Sequence, residues 1–411
     1  MKQRDYYRGS LLWVTVLFVF KLADVQASAP TSINQLLDQA EMASVDVRKA
    51  LTEFEVTKEG ITEASMIPNP ELTLGQWSGR AGGKKWGQTD VTLLQPIELA
   101  GKRGKRIDRA NAQVKGMKAQ IDQVVAEVRL QTLSLLYRLR QVNDELEFLA
   151  EAQTTFSRLV SNYRKRPQLS PEQSTSLFLF DLAVKDYDLQ KQEFIREVKL
   201  IGAELKQRTG FEIADVAHLL PPRKKIWPKN LSGKQLESPY LRVLRAQTEA
   251  SEMDLKLARA DAWPTLSIGP SYSAQDQFGE KANVWGIVLS FPLPVLNQND
   301  GAKALASTGL AASKRRFEIE KTSQENYRQA HLDSYLSSIA VLEAQASDGN
   351  MHKKHEEIES FFLRGLISSP LVIEAHRQMF ENKKLYHERE LETLEAYYQI
   401  VLLDGGKVEE L

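Results

Sequence analysis

The 411-residue chain contains no cysteine. That excludes disulfides, thiol nucleophiles, thiolate zinc centres and a lipid attached to a cysteine behind a signal segment. Net charge is also absent, with 54 basic residues against 54 acidic ones, so nucleic acid and polyanionic partners are not expected. Beyond residue 20 no apolar run approaches the roughly 20 residues that a transmembrane helix needs. Walker, G-x-S-x-G and H-E-x-x-H signatures are missing. Neither an enzyme nor a bound cofactor is expected.

What is present begins with a targeting segment. Lys2, Arg4 and Arg8 precede the apolar run "LLWVTVLFVF" (11–20), and "VQA" ends at Ala27. An apolar run this short does not span a bilayer, so residues 1–27 read as a cleaved signal peptide. The remainder repeats one order of parts twice. A helical stretch (about 31–66) leads through "IPNPELTLGQW", a Gly-rich turn "SGRAGGKK" and "WGQTDVTLLQPI" to a long helix (about 101–163). A break at "RKRPQLSP" and a second helix (about 171–209) complete the first unit. The second unit runs from a helix (about 235–261) through "AWPTLSIGPSYS", "AQDQFGEKA" and "NVWGIVLSFPLP" to a helix at about 301–362. It ends with a break at "RGLISSP" and a helix at about 370–404. The division is therefore 28–210, a Pro-rich basic linker 211–234, a second repeat 235–405 and a tail 406–411. Pro70 and Pro264 open the strand pairs, and Pro96 and Pro292 close them, as expected where helix gives way to strand.

Strands are expected at about 71–77, 86–96, 265–273 and 283–293. In the fourth, Trp285, Ile287, Leu289, Phe291 and Leu293 alternate with Gly286, Val288, Ser290 and Pro292, a period of two that suits a strand with one face in lipid. Trp77, Trp86, Trp263 and Trp285 lie at the ends of the runs, where an aromatic girdle would sit. An ordinary half-buried hairpin alternates in the same way, so the strands alone leave both readings open. The helices decide between them. From Ile121 through Val125, Val128, Thr132, Leu135, Leu139, Val142, Leu146, Leu149, Gln153 and Phe156 to Val160 the steps are fours and threes. That is a heptad seam, with Arg138, Arg140, Asp144 and Glu145 in the intervening positions. A helix of this length runs to roughly 90 Å, far beyond a compact domain.

On these residues the chain resembles the TolC family of outer-membrane efflux channels. "NPELTLG" (69–75) with "LLQPIELAGKRGKR" (93–106) resembles the CzcC-like, heavy-metal branch, and "FPLPVLNQNDGAKALA" and "RGLISSPLVIEAHRQMFENKKLY" resemble the family's second-half landmarks. The resemblance implies a mixed α/β membrane protein: long antiparallel coiled-coil helices forming a periplasmic α-barrel, and four transmembrane strands per subunit completing a twelve-stranded barrel in a homotrimer. The residues demand something similar, since four strands cannot close and lipid forbids an open edge. The implied partners are a periplasmic adaptor, an inner-membrane pump of the resistance-nodulation-division type, and outer-membrane lipid. Substrate, divalent heavy-metal cations on the CzcC-like wording, would be conducted passively. A periplasmic adaptor is the alternative, because it shares the signal segment and a coiled-coil hairpin.

Residues implied by the resemblance fall at the helix-hairpin breaks. Arg166, Leu169 and Ser170 at the first tip, and Arg364, Gly365, Leu366 and Ser368 at the second, are expected to dock the adaptor. Pro167 stands where a glycine is common, so the first turn is expected to differ. Glu374 occupies the second of two positions where such channels carry pore-narrowing acids, and Leu371 the first; a threefold ring of Glu374 is the candidate constriction. "HKKH" (352–355) is the one close histidine pair; it lacks a third ligand and reads as solvated helix surface.

Overall fold

The computed structural model describes residues 29–231, 236–346 and 351–411, without the side chains of 81, 346 and 351–356. The expected signal peptide and the side chains of His352 and His355 lie outside the described residues. The elements in chain order are α1 (Ile33–Ala43), α2 (Val45–Ser65), β1 (Glu71–Ala81), β2 (Lys84–Glu98), α3 (Lys102–Arg164), α4 (Pro171–Thr209), α5 (Ile213–Val216), α6 (Pro239–Asp261), β3 (Thr265–Gln277), β4 (Glu280–Ser290), α7 (Asp300–Ala346), α8 (Met351–Leu363) and α9 (Ser369–Leu403).

Local chemistry sets most of these boundaries. Ser170 and Gln173 form a capping box, Pro171 takes the first helical position, and Gly210 closes α4 in the left-handed region. Ser44 divides the expected single N-terminal helix in two. Its N–H donates to the Ala40 carbonyl while its hydroxyl accepts from the Asp46 N–H. The strands outrun their expected lengths because the hairpin turns take only two residues each: Gly82–Gly83 (φ 59° and 81°) and Phe278–Gly279 (φ 60° and 100°). Left-handed conformation at both positions matches the twist of the flanking strands. Pro96 is not the end of its strand. It pairs with Ser267 inside β2, and the chain leaves the sheet at Ala100 and Gly101 (φ 57° and 68°). Pro70 and Pro264 immediately precede β1 and β3, and Pro292 lies two residues beyond β4.

The four strands form one antiparallel sheet in the order β1-β2-β3-β4. The two hairpins therefore join through β2 and β3, and β1 and β4 are its open edges. The helices reproduce this order: α2 packs on α3, α3 on α6, and α6 on α7. The sheet's open sides and the helical layer's open sides thus coincide, with β1 and α2 on one and β4 and α7 on the other.

Alpha3 has 63 residues, about 95 Å of helix. Around its middle it is buried on nearly every side, by α1, α4 and α9. The expected linker is strapped to the helices. Trp227 is buried against Tyr335 of α7, whose hydroxyl donates to the Pro228 carbonyl, and the Arg223 guanidinium lies 3.7 Å over the Tyr386 ring. The C-terminal tail is bound as well. Val408 is buried, its carbonyl accepts from Arg129 Nε, and Tyr398 donates to the Glu409 carbonyl. Arg129, itself buried, also holds Asp38 and Glu41 of α1. Alpha1, linker and tail thus form a belt about the middle of the long helices. Each fully buried Leu or Phe there contributes about 1.5–3 kcal/mol. Among the described residues no helix is long and apolar enough to cross a membrane.

Candidate functional site

Residues paired directly across strands project to the same face, so the register divides the sheet into two. One face carries rows of apolar side chains: Leu74–Val91–Tyr272–Trp285, then Leu72–Leu93 and Pro270–Ile287, then Ile268–Leu289 and Ile97–Leu266. Leu74 is 70% exposed and Ile287 81%, values that only an apolar surrounding makes tolerable on this scale. Gln95 interrupts the band, and its amide is satisfied by the Pro68 carbonyl at 2.9 Å. Toward the hairpin turns the same face becomes polar at once, through Gln76–Thr89–Ala274–Asn283 and then Ser78–Gly87–Asp276–Lys281. The apolar band therefore has a straight outer border one row deep.

The opposite face carries Thr73, Gln88, Asp90, Thr92, Ser271, Ser273 and Gln275, with Gly75, Gly79 and Gly286 between them. Trp77 and Trp86 belong to this polar face, so the four tryptophans expected to form one girdle do not all share a face. The Trp77 ring lies over Gly75 and the Trp86 ring over Gly79, each filling the space that a side chain at the glycine would take. Trp285 alone of the four sits on the apolar face, in its border row beside Tyr272 (ring centroids 4.7 Å apart). Trp263 is exposed at the helix–strand border beneath the band.

At the far end of the helices the two tips lie side by side. Phe156, Tyr163 and Phe180 from the first hairpin meet Phe362 from the second, with Phe180 and Phe362 edge to face at 5.5 Å. Arg166 and Arg364 are arranged alike: each guanidinium covers the aromatic ring three residues earlier, Tyr163 at 4.9 Å and Phe361 at 5.0 Å. Each tip then runs to a serine that begins the next helix, Ser170 before α4 and Ser368 before α9. The reversals differ as expected. Gly365 (φ 75°) turns the second tip, its N–H donating to Phe362 and that of Leu366 to Phe361. The first tip, with Pro167, contains no left-handed residue and closes through the Arg166 N–H to the Tyr163 carbonyl. Leu366 is exposed, while Leu169 is half-buried.

Glu374 lies on the exposed side of the first turns of α9, opposite the buried Val372, His376 and Phe380. It is not a bare carboxylate. Arg377 grips it in bidentate fashion at 2.8 and 3.0 Å, and Gln378 donates at 2.8 Å. Hydrogen bonding from Arg377, then from Gln378, holds its pKa below the ordinary glutamate value.

One polar constellation escaped sequence reasoning. Arg140 and Glu145 of α3, which the sequence places between the seam positions, are buried, and so are Gln141, His387 and Glu390. Glu390 accepts from Arg140, from Gln141 at 2.9 Å and from the Lys224 N–H at 3.2 Å; Glu145 pairs with His387 Nδ1 at 2.7 Å and with Arg138 at 3.3 Å. This network bolts α3 to α9 and to the linker. Beside it, burial lowers the pKa of Lys383, whose ammonium donates to the Asp144 carbonyl. The sequence does not mark such groups as buried, because charge at a heptad's flanking position is ordinarily solvated. Among the described residues no group of His, Asp and Glu side chains is placed to hold a metal ion.

No protein-family model matches the chain. Over 284 residues, 67% of its length, it is 22% identical to the cobalt-zinc-cadmium resistance protein CzcC of Cupriavidus metallidurans; the matched part spans 66% of that protein, just under two thirds. Among solved structures it superimposes on a membrane protein from Pseudomonas aeruginosa with TM-score 0.73 and 14% identity, covering 92% of this chain and 91% of that one. The Campylobacter jejuni CmeC outer membrane channel gives TM-score 0.72 and 14% identity, covering 92% and 86%. The chain shares the fold of these outer membrane channels, and over two thirds of its length its sequence is similar to CzcC.

Proposed function

We propose that the chain is the outer-membrane exit duct of a tripartite efflux system, acting as a homotrimer without chemistry of its own. The observation that carries this is the coincidence of open edges: β1 with α2 on one side and β4 with α7 on the other. A second copy set against those edges continues the sheet and the helical wall together. Three copies would make a twelve-stranded barrel above a helical tunnel, with the apolar rows in lipid and the Gln- and Ser-rich face lining water. The two repeats, 28–210 and 235–405, would each supply half of a protomer's wall.

The tips at Arg166–Ser170 and Arg364–Ser368 are the surface for a periplasmic adaptor, which would link the duct to an inner-membrane pump. Glu374 would stand in a threefold ring just inside them, its field reduced by Arg377. Divalent heavy-metal cations are the proposed cargo, on the similarity to a cobalt-zinc-cadmium resistance protein. The adaptor reading of this chain itself is not favoured, since two hairpins and a single apolar-faced sheet leave no room for the β-rich modules an adaptor needs.

The test is conductance of the purified protein in planar bilayers, with subunit number from its native mass. A trimer that opens ion-conducting channels is the expected result. A monomer extracted by carbonate washing would overturn the reading. Sensitivity of an efflux-deficient cell to zinc, cobalt and cadmium, relieved by the chain together with its pump and adaptor, tests the cargo separately.

A further inference from the structure

Beyond Ser290 the chain does not pass directly into α7. Residues 291–296 carry Phe291, Leu293, Val295 and Leu296, which are 47%, 70%, 77% and 103% exposed. The Val295 N–H donates to the Leu293 carbonyl at 2.9 Å, so Leu293–Val295 is a tight three-residue turn that pushes its side chains outward. This loop is not adrift. It lines a groove of about 780 Å³ with Lys102 and Arg109 of α3, Asp254 and Asp261 of α6, and the exposed Trp263. The polar floor satisfies itself: Arg109 pairs with Asp254 at 2.5 Å, Lys102 lies 4.0 Å from Asp261, and Asn299 donates to the Ala258 carbonyl. The apolar side chains of the loop have no such partners.

Their place in the fold says what covers them. Leu289 follows Trp285 and Ile287 down the apolar face of β4, and the exposed apolar loop continues from that end of the strand. A barrel's apolar band is about 25 Å tall and its strands tilt by about 40°, so each residue supplies about 2.5 Å of height. From the border row at Trp285 to the last strand residue, Ser290, the strand covers about 13 Å. About 12 Å of the band's height is left below Ser290, at the end of β4 from which residues 291–296 continue. The loop shares its groove mainly with α6 and α3, α7 contributing Ala302.

We propose that residues 291–296, with Trp263, seat in the lipid of the outer membrane's periplasmic leaflet as an interfacial wedge, completing the apolar band that β4 leaves short. The proposal rests on the barrel reading above. Trp263 at the lower boundary then forms the inner counterpart of Trp285 at the upper one, and Lys102 and Arg109 lie at headgroup depth.

The cysteine-free chain allows single spin labels to be placed cleanly. Leu296→Cys, Ile287→Cys and Lys281→Cys would each be labelled, reconstituted as trimers in phospholipid vesicles, and probed with lipid-soluble oxygen and a water-soluble nickel chelate. Position 296 is fully exposed, so the substitution leaves the core intact, and channel conductance verifies assembly. We expect 296 to follow 287, open to oxygen and shielded from nickel, while 281 shows the reverse. A lipid-like 287 with a nickel-accessible 296 puts the loop in water and overturns the wedge while leaving the barrel. Shielding of 296 from both reagents means that protein covers it, which overturns the wedge equally. If 287 itself meets nickel, the barrel reading fails first.

Discussion

Replacing Gly269 with alanine tests the seam where the two halves of the chain meet. A methyl group at 269 would fall on the Leu93 carbonyl oxygen, 2.8 Å from its carbon and 3.2 Å from the Leu94 Cα. Adding a methyl where side chains can turn aside costs about 1–3 kcal/mol. Here the obstacle is backbone. A methyl carbon 1.8 Å from that oxygen reaches an ordinary 3.3–3.6 Å only if β2 and β3 part by about 1.5 Å or more. The rungs on either side, Thr92 with Ser271 and Gln95 with Ile268, would then stretch from about 2.9 Å to beyond about 4 Å, past hydrogen-bonding distance. No water replaces a lost bond within hydrocarbon, so one broken rung adds about 1–3 kcal/mol.

The sum is about 2–6 kcal/mol. At about 2–4 °C per kcal/mol for a unit of this size, the apparent Tm in detergent should fall by at least about 4 °C. Gly286→Ala is the matched control. It lies on the same polar face of the sheet, but its methyl would meet only the Ser271 hydroxyl, at 3.2 Å, and that side chain can rotate away. We expect it to melt with the unmodified protein. If Gly269→Ala does so too, to within about 2 °C, the close approach of β2 and β3 is not a feature of the folded sheet and the argument fails.

The other predictions concern the helices. Arg129→Met should cost about 2–3 kcal/mol, because Arg129 is fully buried but the acids it leaves behind are partly solvated and near Lys407; thermal unfolding measures it. The same variant should change the acid side of the stability curve. Arg129, more than Lys407, holds Asp38 below its usual pKa, so this stabilisation is complete above the unfolded value near 3.9 and is lost as pH falls through the lowered folded value. Unmodified protein should therefore lose more stability than Arg129→Met between about pH 5 and 3. Arg140→Leu strands the buried Glu390 carboxylate with Gln141 and the Lys224 N–H alone, and denaturation should show a loss of about 3–5 kcal/mol. In bilayers, Glu374→Ala should lower cation selectivity and Arg377→Ala should raise it, since the second removes the partner that masks the acid; equal currents from both would remove Glu374 from the pore.

Much of this was legible where the signal was local. Ser170–Pro171 and Gly210 fix α4 at its expected ends, and the duplicated order of breakers puts four strands in the right places. Strand length was less legible, because "SGRAGGKK" offers more turn-forming residues than a two-residue turn uses, and the choice of Gly82–Gly83 is made by pairing. The orientation of Trp77 could have been read: Leu72 and Leu74 occupy even positions and Trp77 an odd one, so a straight strand puts them on opposite faces. Trp86 stands in the same relation to Val91 and Leu93. Arg140, Glu145 and Glu390 could not be placed this way. Their burial follows from how many helices surround α3 at that height, which is tertiary information that a seven-residue pattern does not hold.

The open edges have an energetic consequence of their own. Beta1 and β4 each have 11 residues, and on an edge strand alternate residues turn both N–H and C=O outward. If only half of each edge lies within the hydrocarbon, about five unpaired backbone groups per edge would remain there, at several kcal/mol each. That total exceeds the roughly 5–15 kcal/mol by which a folded domain is ordinarily stable. A lone protomer therefore has no stable membrane-spanning form. Its sheet can enter lipid only as its edges are paired, and in the proposed trimer each β4 must find the next copy's β1 while α7 finds α2. Folding of the sheet, assembly and insertion are then one thermodynamic step, whereas the belt of α1, linker and tail, buried within a single chain, can form beforehand.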